Sequence, residues 1–169
     1  IDGGIPGIIK RSISSRITMK IIKIEFENIN NLKGQHVINF DQDPLSSAGI
    51  FAITGPTGSG KSSILDVITL SLFNRIPRFK KAISKSEVEG LGSVITHLTA
   101  TASAKITYQI KEKRYQSSWS ISKARTGNLR VYEMSICDDA TGVFFDLKRT
   151  EVSAKNEELI GRNYDQLVK

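Results

Sequence analysis

An apolar run at Ile50 to Ile53, a glycine-rich turn at Gly55 to Ser62 and an apolar helix after it predict an α/β protein built around one strand–turn–helix unit. Alternating segments beyond residue 100 add a flanking antiparallel β array. The turn reads Gly55-Pro56-Thr57-Gly58-Ser59-Gly60-Lys61-Ser62 and matches G-x-x-x-x-G-K-[ST] at every fixed position, the phosphate-loop (Walker A) pattern of nucleoside triphosphatases.

Each residue type in the turn has a physical task. Glycines at 55, 58 and 60 let the backbone approach phosphate oxygens that a Cβ would hold off. The amides of Gly58, Ser59, Gly60 and Lys61 are expected to share one concavity at a helix N-terminus, which favours an anion. Lys61 is the candidate catalytic residue, reaching the β- and γ-phosphates, and the Ser62 hydroxyl is the candidate Mg²⁺ ligand. Ser63 is placed to donate to the α-phosphate. Pro56 and Thr57 complete the ATP-binding set, and ATP and Mg²⁺ are the cofactors this pattern requires.

The rest of the chain falls into place in order. Residues 1–18 are rich in glycine, serine and arginine with Asp2 as their one acid, and read as an extension lying outside the domain. The domain is expected over 19–169. Lys20 to Glu27 alternates as a strand with one wet face, Asn28 to Gly34 is turn chemistry, and His36 to Phe40 is a second short strand. The helix after the phosphate loop is apolar nearly all round, interrupted by Asp66, Thr69 and Ser71, and is expected to be buried and to end near Asn74, ahead of Pro77.

A basic stretch follows, with Arg75, Arg78, Lys80 and Lys81 open either to nucleic acid or simply to solvent. Four strands are then expected, at 104–111, 115–122, 129–137 and 143–147, with Trp119 packed in the core rather than offered to bases. Glu151 to Ile160 is a helix with Gly161 as its C-cap, and Asn163 begins another.

The totals bound the function. A net charge of +7 suits an anionic partner or ordinary solubilisation. Cys137 is the only cysteine, which excludes an internal disulfide and suits a reducing, cytoplasmic setting. No apolar run approaches the roughly twenty residues of a membrane span. Hydrolysis would also need an acidic Mg²⁺ partner after an apolar strand. Val143 to Asp146 and Ser135 to Asp139 imitate one, but the first is too short and the second puts its acids in a turn. His36 and His97 have no ligand-spaced companions.

The order Met19 to Ile24, Asn28 to Gly34, Phe51 to Asp66 and Leu72 to Arg78 resembles the N-terminal lobe of the SbcC family, ABC-type ATPases of DNA double-strand-break repair. The resemblance spans residues 19–169, and Pro56-Thr57 favours this family over the SMC and RecF proteins. It implies an ABC-type head whose two lobes are separated by a long coiled coil, a head–head dimer that sandwiches ATP, a metallo-nuclease partner resembling SbcD, and action on double-stranded DNA ends and hairpins. It adds Asn30 and Asn31 to the nucleotide-binding set. It places the glutamine loop, signature and second acidic motif outside these 169 residues, so the chain is expected to hold phosphates without hydrolysing ATP alone. The whole protein would be the ATPase subunit of a nucleoid-associated exonuclease. A rival reading is a non-catalytic DNA-binding or scaffold segment with a vestigial phosphate loop.

Overall fold

The computed structural model describes residues 19–47, 52–79, 88 and 94–168. Five strands form one antiparallel sheet: β1 (Met19–Ile29), β2 (Leu32–Asn39), β3 (Thr101–Ile110), β4 (Lys113–Ser122) and β5 (Glu133–Asp138), in the order β2-β1-β3-β4-β5. Strict alternation decides which face is buried. Ile22, Ile24 and Phe26 of β1 turn inward with Ala104, Ile106 and Tyr108 of β3 and Tyr115, Trp119 and Ile121 of β4. On the outer face Glu25 lies between Lys23 and Lys105, at 3.1 and 3.0 Å.

Helices α1 (Lys61–Phe73) and α2 (Val152–Ile160) cover the inner face, and a short α3 (Tyr164–Val168) follows. A buried polar cluster joins the two longer helices to the sheet. Asn156 of α2 donates to Leu72 O and Ser117 Oγ, both at 2.9 Å, and accepts from the Tyr108 hydroxyl at 2.7 Å. Ser117 in turn donates to Ser71 O at 2.7 Å, and Trp119 Nε1 donates to Asn74 Oδ1 at 2.8 Å. Trp119 is therefore a core residue with its one polar atom satisfied, as its strand spacing predicts.

Several elements differ from the sequence reading. The turn chemistry of Asn28 to Gly34 is compressed: only Asn30 and Asn31 lie between β1 and β2, while Asn28, at φ 54°, sits in a bulge of β1. The third array strand begins at Glu133, not Leu129, because Leu129 pairs back on Lys123 in an isolated bridge. The fourth, at 143–147, is absent: Phe144 makes a single bridge to Cys137, and Val143 and Phe144 are exposed.

The apolar strand before the phosphate loop is also not seen among the described residues. Ala52 and Ile53 are exposed and belong to no strand, and Ile50 and Phe51 lie outside the described residues. A parallel strand needs neighbours to bond, and the sheet runs from β2 to β5 without pairing that segment. Helix α1 is largely buried, as its apolar run predicts, and the burial extends to its polar positions. Its three polar interruptions, Asp66, Thr69 and Ser71, are buried, whereas Leu65 is exposed. Thr69 and Ser71 meet the cost of burial by donating to backbone carbonyls one turn back, Leu65 O and Val67 O.

Candidate nucleotide-binding site

The loop 55–60 delivers the chain into α1 through Gly60, the N-cap, which adopts φ 90° and ψ 9°. That left-handed conformation ordinarily requires glycine. A Cβ at Gly60 would also lie 2.8 Å from Leu32 Cδ2, so the first residue of β2 packs directly under the loop's exit. Gly60→Ala is expected to cost about 1–2 kcal/mol in stability, and to weaken nucleotide binding, since the strained backbone and the Leu32 contact must both yield. Thermal melts and nucleotide titration of the variant check this.

Among the described residues no side chain caps α1, and its first turn carries no acid. Its leading amides are thus left for an external acceptor. Lys61 folds back over the loop, with its ammonium donating to Gly55 O and Pro56 O at 2.7 Å each and lying 3.4 Å from Ser59 Oγ. A cation therefore already lies against the loop's carbonyls. Across the loop Ser59 N donates to Pro56 O at 3.2 Å. Ser62, next on the helix, is exposed. This residue set fits a phosphate chain with a divalent cation: glycine-permitted backbone, uncapped helix amides, one lysine and one exposed hydroxyl residue.

The β1–β2 turn buttresses the loop from the side. Asn31 Nδ2 donates to Gly58 O at 2.7 Å, and Asn31 Oδ1 accepts from Ser63 Oγ at 3.1 Å. Asn30 Nδ2 donates to Asp66 Oδ2 at 2.6 Å and to Ser63 Oγ at 3.2 Å. The structure thus brings Asn31 against the loop and Asn30 against the first turns of α1. Ser63 is buried, and its hydroxyl is taken by these two asparagines, where the sequence predicts a donor to the α-phosphate.

The basic stretch is engaged more than the sequence suggests. Arg78 pairs with Asp66 at 3.0 Å and donates to Asn30 Oδ1 at 2.5 Å. Arg75 lies over the Tyr164 ring, 5.1 Å from its centroid, and Tyr164 meets Phe73 edge-on. Lys80 and Lys81 lie outside the described residues. Sequence reasoning missed Asp66, whose side chain is only 3% exposed. Burial pushes its carboxyl above the ordinary value, against the lowering by Arg78 and Asn30. The available signal was an acid on an otherwise apolar helix with arginines a few turns on.

The AAA domain family matches residues 23–167. The chain belongs to this family. It is 33% identical over 165 residues to the SbcC subunit of the SbcCD nuclease from Pseudomonas aeruginosa, and 31% identical over 158 residues to the SbcC subunit from Bacillus subtilis. Each alignment covers 89% of this chain but only 14% and 13% of the respective relative, so the chain spans a small part of the length of the curated proteins it matches. A solved chain, from work on the structural biochemistry of ATP-driven dimerization and DNA-stimulated activation of SMC ATPases, matches with a TM-score of 0.54 at 20% identity, covering 88% of this chain and 84% of that one. Family and fold agree on an SbcC-like N-terminal lobe of an ABC-type P-loop ATPase. Within this lobe the antiparallel sheet is the scaffold, and the phosphate loop stands at its β1–β2 end, held by Asn31 and Leu32.

Proposed function

We propose that this chain is the ATP-binding N-terminal lobe of a DNA-repair ATPase that works with a metallo-nuclease partner on double-stranded DNA ends. The observation that carries the reading is the loop itself: Gly60 in the left-handed region, an uncapped helix start and the Lys61 ammonium folded back onto the loop's carbonyls. The loop amides and Lys61 would bind the phosphates, and the Ser62 hydroxyl would hold Mg²⁺, which when bound supplies charge neutralisation between β- and γ-oxygens. The nuclease partner rests on the SbcCD relatives, the DNA-repair setting on a 74-residue stretch 35% identical to a probable DNA double-strand break repair Rad50 ATPase of Aquifex aeolicus, and closure by a second head on the SMC neighbour.

Exposed Ile53 and Leu65 flank the phosphate loop on the chain. In this reading they are the apolar surface against which the protein's C-terminal lobe packs, completing the strand environment that Ala52 and Ile53 lack here. Asp66, the acid on the loop's own helix, is already bound by Asn30 and Arg78. The 169 residues alone are therefore expected to release phosphate no faster than a Lys61→Ala control, as a coupled phosphate-release assay would record.

Titration of the full-length protein with ATP, with and without Mg²⁺, tests the site. Wild type should bind more tightly with Mg²⁺, and Ser62→Ala should lose most of that gain. An unchanged Mg²⁺ dependence in Ser62→Ala would remove Ser62 as the ligand.

A further inference from the structure

A continuous run of polar contacts leads from a buried carboxylate to the wall of the phosphate loop. Asp66 Oδ2 accepts from Asn30 Nδ2 at 2.6 Å and pairs with Arg78 at 3.0 Å. Asn30 Nδ2 also donates to Ser63 Oγ at 3.2 Å, Ser63 Oγ donates to Asn31 Oδ1 at 3.1 Å, and Asn31 Nδ2 donates to Gly58 O at 2.7 Å. The last contact has a geometric consequence. In a trans peptide the carbonyl and the following N–H point in opposite directions. Holding Gly58 O toward Asn31 therefore turns the Ser59 N–H away from the turn and across the loop, where it donates to Pro56 O.

From this we propose that Asp66 is a positioning residue of the nucleotide site. Its carboxylate fixes the Asn30 amide and the Arg78 guanidinium. Through Ser63 and Asn31, that sets the Gly58–Ser59 peptide plane, and with it the shape of the loop that would receive a phosphate. Asp66 touches no phosphate itself. The chemistry supports the choice of an acid here. An Asn30 amide bound by a buried carboxylate has its Nδ2 fixed toward Asp66, leaving Oδ1 to face Arg78, so its orientation is determined. A neutral partner would remove both the charge that holds Arg78 and the preference that orients Asn30. The inference rests on the nucleotide-binding reading of the loop and deepens it.

The test is equilibrium titration of the full-length protein with Mg²⁺–ATP in six forms: wild type, Lys61→Ala, Asp66→Asn, Asp66→Glu, Asn31→Ala, and the Asp66→Asn/Asn31→Ala double variant. Asp66→Asn and Asn31→Ala should each weaken binding about tenfold, and the double variant should be no weaker than the worse single one, because both break the same run of contacts. Asp66→Glu should recover affinity to within about threefold of wild type, as a carboxylate can still reach Asn30 and Arg78.

Asn31 is exposed, so its variant reports on the loop even if Asp66→Asn fails to fold. Wild-type affinity in Asn31→Ala, or losses that multiply to about a hundredfold in the double variant, would overturn the proposal while Lys61→Ala still loses binding. If Lys61→Ala itself binds like wild type, the nucleotide site is not at this loop, and the proposal falls with it.

Discussion

Asn156→Ala is expected to destabilise the chain by about 3 kcal/mol, a drop in melting temperature of roughly 6–12 °C at this size. The magnitude follows from what is left behind rather than from the bonds lost. Asn156 has no solvent exposure and serves three partners: the Tyr108 hydroxyl, Leu72 O and Ser117 Oγ. Removing it strands the Tyr108 hydroxyl and withdraws a donor from Leu72 O inside the core. Burial pushes the Tyr108 phenol above its ordinary value, so it cannot relieve the loss by ionising. Adding Tyr108→Phe to Asn156→Ala removes one stranded group and should recover about 1 kcal/mol in a double-mutant cycle. Chemical denaturation of the four forms measures it, and an Asn156→Ala cost below about 1 kcal/mol would mean water reaches this cluster.

Lys61→Ala is expected to weaken Mg²⁺–ATP binding by about a hundredfold, because a charge-assisted contact to phosphate is worth roughly 1.5–3 kcal/mol and Lys61 contributes more than one. Its folded stability should change little. The lysine is only part-buried, and the carbonyls it satisfies, on Gly55 and Pro56, are themselves exposed and can take water. This separation of effects distinguishes Lys61 from Asn156: one residue acts on the ligand, the other on the core. Isothermal titration beside a thermal melt reads both quantities on the same sample.

The two residues also mark what was legible in the sequence. The phosphate loop is local: its glycines, Lys61 and Ser62 are defined by spacing within eight residues, so pattern alone places them on a turn and a helix start. The β strands were legible for the same reason, since alternation in β1, β3 and β4 is a short-range signal. Their assembly was not. β1 bonds β3 across some eighty residues, and nothing in either segment names the other as partner.

The burial of α1 was legible from its apolar run, but the partners of its polar residues were not. Thr69 and Ser71 bond their own backbone, and Asp66 bonds Asn30 and Arg78, residues remote from it in the chain. The segment Val143 to Leu147 misled. Its apolar residues suggest a strand, yet only Phe144 forms a bridge: the turn from Asp138 to Gly142 brings the segment back to β5, where Val143 O and Phe145 N bond on either side of that bridge and no longer ladder follows. Burial of a polar group is decided by long-range company, which a local pattern does not carry.

The loop backbone and the Lys61 ammonium are expected to hold the nucleotide. Hydrogen exchange of the full-length protein, followed by mass spectrometry with and without Mg²⁺–ATP, addresses this most directly because it locates the ligand on the backbone. Exchange should slow in the peptides containing residues 55–63 on adding Mg²⁺–ATP, and the same addition should produce no slowing there in Lys61→Ala. Saturating nucleotide that slows exchange elsewhere in the protein but leaves residues 55–63 unchanged would place the nucleotide away from this loop.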